Sequence, residues 1–210
     1  MAYKPILFNT EMVKAILEGR KTQTRRIIRP QPVWDGISCF HISKYGCWEY
    51  GRNDRIFSAE DNWPINTGDI LWVRETWHKD AGRYMYRANY SKDEKFYRNG
   101  QEVEIRWSPS IHMPKQAARI FLRVKDVRVE RLQKCGDGWC VDIENEGVKT
   151  PQNPILYVND DKFHDALRAE MEKLWDSTIK PADLGKYGWD ANPWVWVIEF
   201  ERCEKPEGWC

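Results

Sequence analysis

A cluster of basic and hydroxyl side chains near the start of the chain has the residue types that polarise a carbonyl or phosphoryl group. The stretch LEGRKTQTRR, residues 17–26, places Lys21, Thr24 and Arg26 at positions i, i+3 and i+5. In an extended segment Thr24 and Arg26 lie on the same side, and Lys21 reaches them around the turn. A lysine whose pKa is lowered by its surroundings activates a hydroxyl, and an arginine holds a carbonyl or phosphate oxygen. These residues therefore predict a hydroxyl nucleophile with a lysine base, and a solvated basic strand edge is the alternative.

Two other side chains are candidates for binding a ligand. His112, in the stretch SPSIHMP, comes just before a proline turn, and together with Ser110 it is predicted at the rim of a cleft. A packed or solvent-facing histidine is the alternative. Trp77 ends a predicted strand, where its ring is placed to stack on a base, and a core position is the alternative.

The charge balance excludes nucleic-acid binding that is driven by the net charge of the whole chain. Lys and Arg number 33 against 32 Asp and Glu, so any anion binding must come from local patches. The length of 210 residues with 41% hydrophobic residues fits one domain over residues 1–210. The N-terminal residues contain no long apolar run, so we expect neither a signal peptide nor a membrane span. We therefore predict that the protein is located in the cytoplasm.

The six cysteines lack a paired C-x-x-C spacing, which makes the signal for zinc weak. In a reducing compartment they stay thiols. We therefore predict no metal and no cofactor. The alternative is a metal site built from some of the following residues: Cys39, His41, Cys47, Cys135 and Cys140.

The hydrophobic patterns predict an α+β domain. In the strand predicted over 68–77, alternation places Ile70 and Trp72 on one face and Leu71 and Val73 on the other. Further strands are predicted over residues 4–9, 22–28, 118–132 with a bend near Asp126, and 193–202. Helices are predicted from a Thr10 cap to Gly19, over 138–147 and over 161–175.

Two segments look like insertions at the surface of this domain. Residues 31–66 are rich in Pro, Gly, Asp and Asn, and we expect little regular structure there. The second insertion covers about 84–104, and its polar part, 91–104, is predicted to be a loop or a hairpin tip. Loops of this size in a compact domain are usually functional or mobile.

The basic cluster resembles the signature of a known family. Gly19, Lys21, Thr24 and Arg26 match G-x-K-x-x-[E/T]-x-R, which is typical of ASCH domains, relatives of the PUA fold. The resemblance continues in three segments, TGDILWV (67–73), RLQKCGDGWCVDIENEGV (131–148) and WVWVIEFE (194–201). In particular, the chain resembles prophage-type ASCH proteins, which share GRKTQTRR, GDILWVRETW, SIHMP and WDANPWVWVIEFER. The two insertions are the parts that smaller members of the family lack.

The resemblance implies a PUA-like β-barrel with flanking helices, a cleft lined by the signature, and RNA or a modified nucleoside as the ligand. One bacterial branch of the family hydrolyses the acetamide of N4-acetylcytidine and has Thr at the variable position of the signature. Carried over to this chain, Lys21 is the base, Thr24 the nucleophile and Glu146 the orienting or proton-handling carboxylate, with Glu144 as a possible substitute. Arg26 is implied to hold the substrate oxygen.

Three functions follow from these observations. The first is an N4-acetylcytidine amidohydrolase, the second an RNA-binding module without chemistry, and the third a metal-independent ribonuclease. Thr24 favours the first, because pure binding needs no hydroxyl beside a lysine. The 12 Trp, the 9 Tyr and the large insertions favour the second. The amidohydrolase hypothesis requires Lys21, Thr24, Arg26 and Glu146 to converge on one concave site, and the oligomeric state stays open.

Overall fold

A computed structural model describes residues 1–29, 31, 39–42, 48–52, 55–58, 65–134, 139–148 and 161–209. Short 3₁₀ turns connect some of the regular elements. The strands and helices are, in chain order, β1 (Tyr3–Leu7), α1 (Thr10–Leu17), β2 (Gln23–Ile27), β3 (Cys39–Ile42), β4 (Trp48–Arg52), β5 (Arg55–Ser58), β6 (Ile70–Arg74), β7 (Trp77–Asp80), β8 (Arg83–Tyr86), β9 (Phe96–Arg98), β10 (Gln101–Val103), β11 (Phe121–Arg131), α2 (Trp139–Asn145), α3 (Asp161–Asp176), α4 (Leu184–Tyr187) and β12 (Trp194–Cys203).

A five-stranded sheet in the order β1-β6-β11-β12-β2 carries the core. Strand β1 runs parallel to β6, and the other neighbours in the sheet are antiparallel. The pairing of β11 with β12 shifts register between Val124 and Asp126, which confirms the predicted bend near Asp126. In this strand order β2 is an edge strand, so groups from outside the sheet can contact its outer side.

Both faces of the sheet are covered by apolar groups. On one face Leu71 and Val73 of β6 pack in a core cluster with Val13 and Ile16 of α1. On the other face Ile70 and Trp72 belong to a second cluster, with Met113, Phe121 and Trp209 among its members. The alternation predicted for β6 is thus confirmed. A third cluster joins Val195 and Val197 of β12 with Leu167 and Met171 of α3.

Helix α1 carries the chain from β1 to β2. Asn9 is its N-cap, since the Asn9 Oδ1 accepts a hydrogen bond from the Met12 N–H at 2.9 Å. The Thr10 cap predicted from the sequence is wrong, because Thr10 is the first helical residue. Gly19 ends the helix region with φ of +77°, a backbone conformation that glycine adopts without strain.

The structure corrects the prediction of one strand over 68–77. Strand β6 ends at Arg74 and β7 begins at Trp77, so the segment divides at Glu75. The Glu75 carboxylate is buried and accepts two hydrogen bonds from Arg119, and the Trp77 backbone pairs with Ser108 rather than extending the central sheet. These partners lie more than 30 residues away, so local alternation did not reveal them.

The structure corrects the prediction for the first insertion and confirms the prediction for the polar part of the second. The expectation of little regular structure over 31–66 is wrong within it, because β3, β4 and β5 form a three-stranded antiparallel sheet over 39–58. The hairpin tip predicted in 91–104 is confirmed, since β9 and β10 pair antiparallel around Asn99 and Gly100. Both turn residues have positive φ, 51° and 81°, as the tight turn between two strands requires.

The mixed α+β class is confirmed, whereas closure of the sheet is not. Within the residues that the structure describes, no β-ladder joins the edge strands β1 and β2. The closed barrel implied by the ASCH resemblance is therefore unconfirmed. In the same part of the chain, none of the helices has the length and apolar character needed to cross a membrane.

A buried carboxylate ties the N-terminus to the turn before β6. Asp69 accepts hydrogen bonds from the Ala2 N–H at 2.7 Å, the Lys4 Nζ at 2.8 Å and the Asn66 N–H at 3.0 Å. Burial is the largest single influence on the pKa of Asp69 and raises it, but the hydrogen bonds from Lys4, Asn66 and Ala2 together outweigh it. The pKa of Asp69 is therefore lowered in the folded protein.

We expect Asp69→Asn to lower the free energy of unfolding by about 1–3 kcal/mol at neutral pH, because a charge-assisted hydrogen bond is lost. The contribution of Asp69 is complete above its unfolded pKa of 3.8 and is lost as the pH falls through the lowered folded value. The deficit of the variant should therefore shrink in acid. Urea denaturation at several pH values measures this loss of stability, and Asp93→Asn is the control because Asp93 is exposed. A loss of stability that does not change with pH would contradict the role of the Asp69 carboxylate.

Candidate functional site

The site forms where the chain leaving α1 meets the end of α2. Lys21 and Glu146 face each other as an isolated antiparallel bridge, and the Thr22 N–H donates to the Asn145 carbonyl at 3.0 Å. Strand β2 begins directly afterwards at Gln23, and its other side pairs with β12. The backbone thus holds the start of the edge strand against the C-terminal end of α2.

Gly147 makes this close approach possible. Its φ is +85°, and a Cβ added there would lie 2.9 Å from the Ala15 Cβ and 3.0 Å from the Lys21 Cβ. The Gly147 carbonyl accepts a hydrogen bond from the Arg20 Nη1 at 2.9 Å. A glycine after Glu146 is therefore required both by the backbone conformation and by the space available.

The Glu146 carboxylate is buried between two cations of the basic cluster. The Lys21 Nζ donates to the Glu146 Oε2 at 3.0 Å and to the Glu146 carbonyl oxygen at 2.7 Å. The Arg25 Nη1 donates to the other carboxylate oxygen, Oε1, at 3.0 Å. The side chains of Lys21, Glu146 and Arg25 are 2%, 5% and 1% exposed, so the three charges form one desolvated cluster.

Burial and pairing shift the pKa values of this cluster in definite directions. For Lys21 desolvation is the largest influence and lowers the pKa, and the raising effect of the Glu146 charge and hydrogen bond only partly offsets it. For Glu146 desolvation is again largest and raises the pKa, but the charges of Lys21 and Arg25 and the hydrogen bonds outweigh it. The pKa of both groups is therefore lowered, and Glu146 is ionised at neutral pH.

The cluster forms one wall of a cleft between α1 and α3. The cleft holds a small cavity of about 50 Å³. Apolar side chains of both helices supply much of the lining. The lining residues are Phe8, Asn9, Met12, Lys21, Thr24, Arg25, Arg26, Glu146, Met171, Leu174, Trp175 and Thr178.

Thr24 and Arg26 reach the cleft from the neighbouring face of β2. Among the contacts of the described residues, the Thr24 hydroxyl makes no hydrogen bond, although the residue is buried. Arg26 is half-buried; its Nη2 donates to the Leu7 carbonyl at 2.8 Å and its guanidinium lies 5.2 Å from the centre of the Phe8 ring. The Arg26 side chain thus bridges the two edge strands while it lines the cleft.

A second layer of polar groups surrounds the cluster. Asp142 of α2 places its Oδ2 3.6 Å from the Arg25 Nη2, which is an ion pair without a hydrogen bond. The Gln23 Oε1 accepts a hydrogen bond from the Arg128 Nη2 at 3.1 Å, and Arg128 also binds Glu130 and Glu199. Gln23 at the start of the edge strand is therefore connected to charged groups of β11 and β12.

The structure brings together four of the residues singled out in the sequence. Lys21, Thr24, Arg26 and Glu146 all line the one cleft, as the amidohydrolase hypothesis requires. Between the two candidate carboxylates, Glu146 rather than Glu144 contacts Lys21. Their chemical roles stay predictions.

Trp77 and His112 lie away from this cleft. The Trp77 ring packs beside Tyr84 with 5.7 Å between ring centres, and His112 is exposed in a 3₁₀ turn. Neither residue belongs to the lining of the cleft around Lys21. A role for either one in binding substrate stays a prediction.

Two parts of the site escaped the sequence analysis. The sequence assigned no role to Arg25, since alternation along an extended segment places it on the opposite side from Thr24 and Arg26. The wall contributed by α3 was not anticipated either. Its signal was a helical stripe formed by Met171, Leu174 and Trp175, with Thr178 in the turn that follows the helix. Such a stripe predicts a buried face without showing what that face meets.

The described part of the chain can be searched for side chains that could bind a metal ion. Among the described side chains, no group of three or more His, Cys, Asp or Glu is arranged to hold a metal ion. Cys203 is a free thiol. The side chains of the alternative metal set lie outside the described residues, and these are Cys39, His41, Cys47, Cys135 and Cys140.

Comparison of the chain with protein-family models, with curated proteins and with solved structures returned no match. The ASCH resemblance stays a prediction that rests on the motifs quoted above. The fold and the site define a mixed α+β protein with a buried lysine–carboxylate–arginine cluster at a small cleft.

We expect Gly147→Ala to lower the free energy of unfolding by about 2 kcal/mol or more, because the new Cβ is strained at positive φ and overlaps Ala15 and Lys21. Gly19→Ala is the matched control, since Gly19 has a similar φ of +77° but no atom within 4 Å of an added Cβ. Denaturant unfolding of both variants measures the difference. Equal losses would show that the close approach does not matter.

We expect Glu146→Ala to lower the free energy of unfolding by about 3–5 kcal/mol, because it leaves Lys21 and Arg25 buried without their carboxylate. The loss of Glu146 also removes the influence that raises the pKa of Lys21. The unfolded state then binds more protons than the folded state between the lowered pKa of Lys21 and 10.5, so the stability of the variant should rise with pH in that window.

Unfolding curves between neutral and alkaline pH test this expectation. Glu144→Ala is the control, because it removes a half-buried carboxylate from the same helix without touching Lys21. A Glu146→Ala variant as stable as the control would contradict the central role of the cluster.

Proposed function

We propose that the protein is an ASCH-type hydrolase that releases the acyl group from N4-acylated cytidine, either as a nucleoside or within RNA. The observation that carries the proposal is the buried Lys21 amine, held by two hydrogen bonds to Glu146 in the same cleft as the Thr24 hydroxyl. A lysine near a free hydroxyl in a desolvated cleft is the arrangement that activates a nucleophile for acyl transfer.

Lys21 serves as the base because burial lowers the pKa of its amine, an effect that the charge of Glu146 only partly offsets. A neutral amine has two N–H bonds, and the Glu146 carbonyl and Oε2 accept one each. The lone pair then occupies the remaining tetrahedral position on the nitrogen. There it is available to accept a proton from a group in the cleft. The lowered pKa of Lys21 raises the fraction of neutral amine at neutral pH.

Thr24 serves as the nucleophile. Its hydroxyl proton passes to the Lys21 amine as the oxygen attacks the acyl carbon, and the proton then moves to the departing N4 of cytidine. The acyl–nitrogen bond breaks while an ester bond to Thr24 forms. Water hydrolyses this ester and releases a carboxylate, so the balanced reaction is N4-acetylcytidine plus water to cytidine, acetate and a proton.

The cleft has apolar walls that suit the acyl group of this substrate. Met12, Met171 and Trp175 supply apolar surface that excludes bulk water and strengthens the electrostatic interactions of the cluster. The Thr24 hydroxyl has to approach the Lys21 amine on substrate binding, because no hydrogen bond joins them among the described contacts.

A PUA-like barrel is part of the same proposal. Support for it comes from the approach of the two edge strands, since the Arg26 side chain of β2 binds the carbonyl of Leu7 at the end of β1. Helix α1 connects these strands and packs inside the same core cluster. The signature residues are then positioned at the seam of the barrel.

A binding module without chemistry is the second candidate. It is favoured by the missing hydrogen bond between Thr24 and Lys21 and by three cations, Lys21, Arg25 and Arg26, around one cleft. The same cations also make a metal-independent ribonuclease compatible with the site, since they stabilise charge on a phosphorus centre. Both alternatives are outcomes of the experiment below.

We expect the wild type to release cytidine from N4-acetylcytidine, and Lys21→Met or Thr24→Val to lower the rate by about 10³-fold or more. The double variant should lose little more than either single variant, because base and nucleophile act as a unit. Chromatography of the nucleosides measures the rate. Thr24→Ser, which keeps a hydroxyl, is the matched control and should retain part of the activity.

RNA binding and RNA integrity are measured on the same proteins. If the wild type binds RNA, leaves N4-acetylcytidine intact and cleaves nothing, the protein is a binding module. Cleaved RNA with intact N4-acetylcytidine would identify a ribonuclease instead. Melting curves of every variant show that the loss of activity does not come from unfolding.

A further inference from the structure

Arg25 is the buried cation whose hydrogen-bonding capacity is least used. Its side chain is 1% exposed and it lines the cleft, yet only the Nη1 has a hydrogen-bond acceptor, the Glu146 Oε1. Within the described residues the Arg25 Nε and Nη2 are buried without one. Buried donors of a charged group without an acceptor cost free energy, so they call for a physical explanation.

Another arginine of the same chain shows what this edge of the guanidinium binds. The Arg119 Nε and Nη2 each donate to one oxygen of the buried Glu75 carboxylate, both at 2.9 Å. The same two nitrogens of Arg25 are the ones that lack acceptors. The fork formed by Nε and Nη2 matches a carboxylate or another pair of oxygens in one plane.

Asp142 does not fill this edge. Its Oδ2 lies 3.6 Å from the Arg25 Nη2, too far for a hydrogen bond, and the Arg25 Nε has no acceptor from it. Asp142 balances charge at this distance without accepting a hydrogen bond. The Arg25 Nε and Nη2 have almost no accessible surface, so an oxygen that enters from the cleft has to displace neighbouring side chains to complete the hydrogen bonding of Arg25.

The position of Arg25 suits an oxygen next to the reacting carbon. Lys21 and Arg25 bind opposite oxygens of the Glu146 carboxylate, so the guanidinium lies beside the amine that the proposed reaction uses. Arg26, which the family resemblance implies for this task, already donates to the Leu7 carbonyl and lies over the Phe8 ring. Arg25 is therefore better placed to bind an oxygen of the substrate.

We infer that the Nε–Nη2 edge of Arg25 binds the oxygen of the substrate acyl group and then the carboxylate released from it. The identity of this ligand rests on the proposed function, whereas the binding of a carboxylate does not. During the attack, negative charge develops on the acyl oxygen, and two N–H donors held in place by Glu146 stabilise that charge.

The direct test uses the protein itself and acetate as the probe. In ¹⁵N-labelled protein the Nε–H signals of arginines are recorded during a titration with sodium acetate, with sodium chloride as the control for ionic strength. We expect the Arg25 signal to move and saturate with acetate while the Arg119 signal, whose donors are already bound to Glu75, stays in place. An Arg25 signal that does not respond to acetate overturns the inference.

Two variants make the test independent of any one substitution. Arg25→Lys identifies the signal and, because lysine keeps the charge but loses the fork, should lower kcat by about 10²-fold or more with KM changed by less than about threefold. Arg26→Lys is the matched comparison, and its loss should be smaller, about tenfold or less. A purely structural role for Arg25 would instead lower stability without this separation of kcat from KM.

Asp142→Asn tests the site with Arg25 intact. Removal of the neighbouring negative charge should lower the Kd for acetate by about threefold or more; an unchanged Kd counts against the inference. If the wild type releases cytidine but acetate leaves the Arg25 signal unmoved, the inference fails and the proposed function stands. If no cytidine is released, the proposed function fails, and the acetate titration alone decides whether Arg25 is an anion-binding site.

Discussion

The interaction on which the site depends is the buried contact of Glu146 with Lys21 and Arg25. Removing three charges from water is costly, and the arrangement is stable only if the geometry is good and the hydrogen bonds are made. Both oxygens of the carboxylate are used, one for each cation, and the amine also binds the Glu146 carbonyl. The position of one side chain therefore fixes the edge strand relative to the end of α2.

Several features of the surrounding structure follow from this contact. Gly147 has to be a glycine because its φ is positive and an added Cβ would overlap the side chains of Ala15 and Lys21. Strand β2 has to lie at the edge of the sheet, because its outer side is occupied by the end of α2. Helix α3 supplies apolar side chains to the same cleft, and burial of the Lys21 amine lowers its pKa.

The elements that the sequence predicted correctly are those determined by local patterns. The alternation of β6, the long strands β11 and β12 and the hairpin tip within 91–104 all depend on neighbouring residues. The division of the strand predicted over 68–77 depends on a distant partner, because Glu75 binds Arg119. The error at the helix cap is local, because both Asn9 and Thr10 are common capping residues and it is the Asn9 carboxamide that accepts from the Met12 N–H.

The sequence by itself determined which segment carries Lys21, Thr24 and Arg26, since their spacing along an extended strand brings them to one region. It left the choice between Glu144 and Glu146 open. Tertiary structure decided it, because residues two apart on a helical turn point in nearly opposite directions and only Glu146 faces Lys21, 125 residues earlier in the chain. Tertiary structure also decides which N–H groups of Arg25 have acceptors, because these depend on acidic residues far away in the sequence. Alternation along one strand does not reveal those partners.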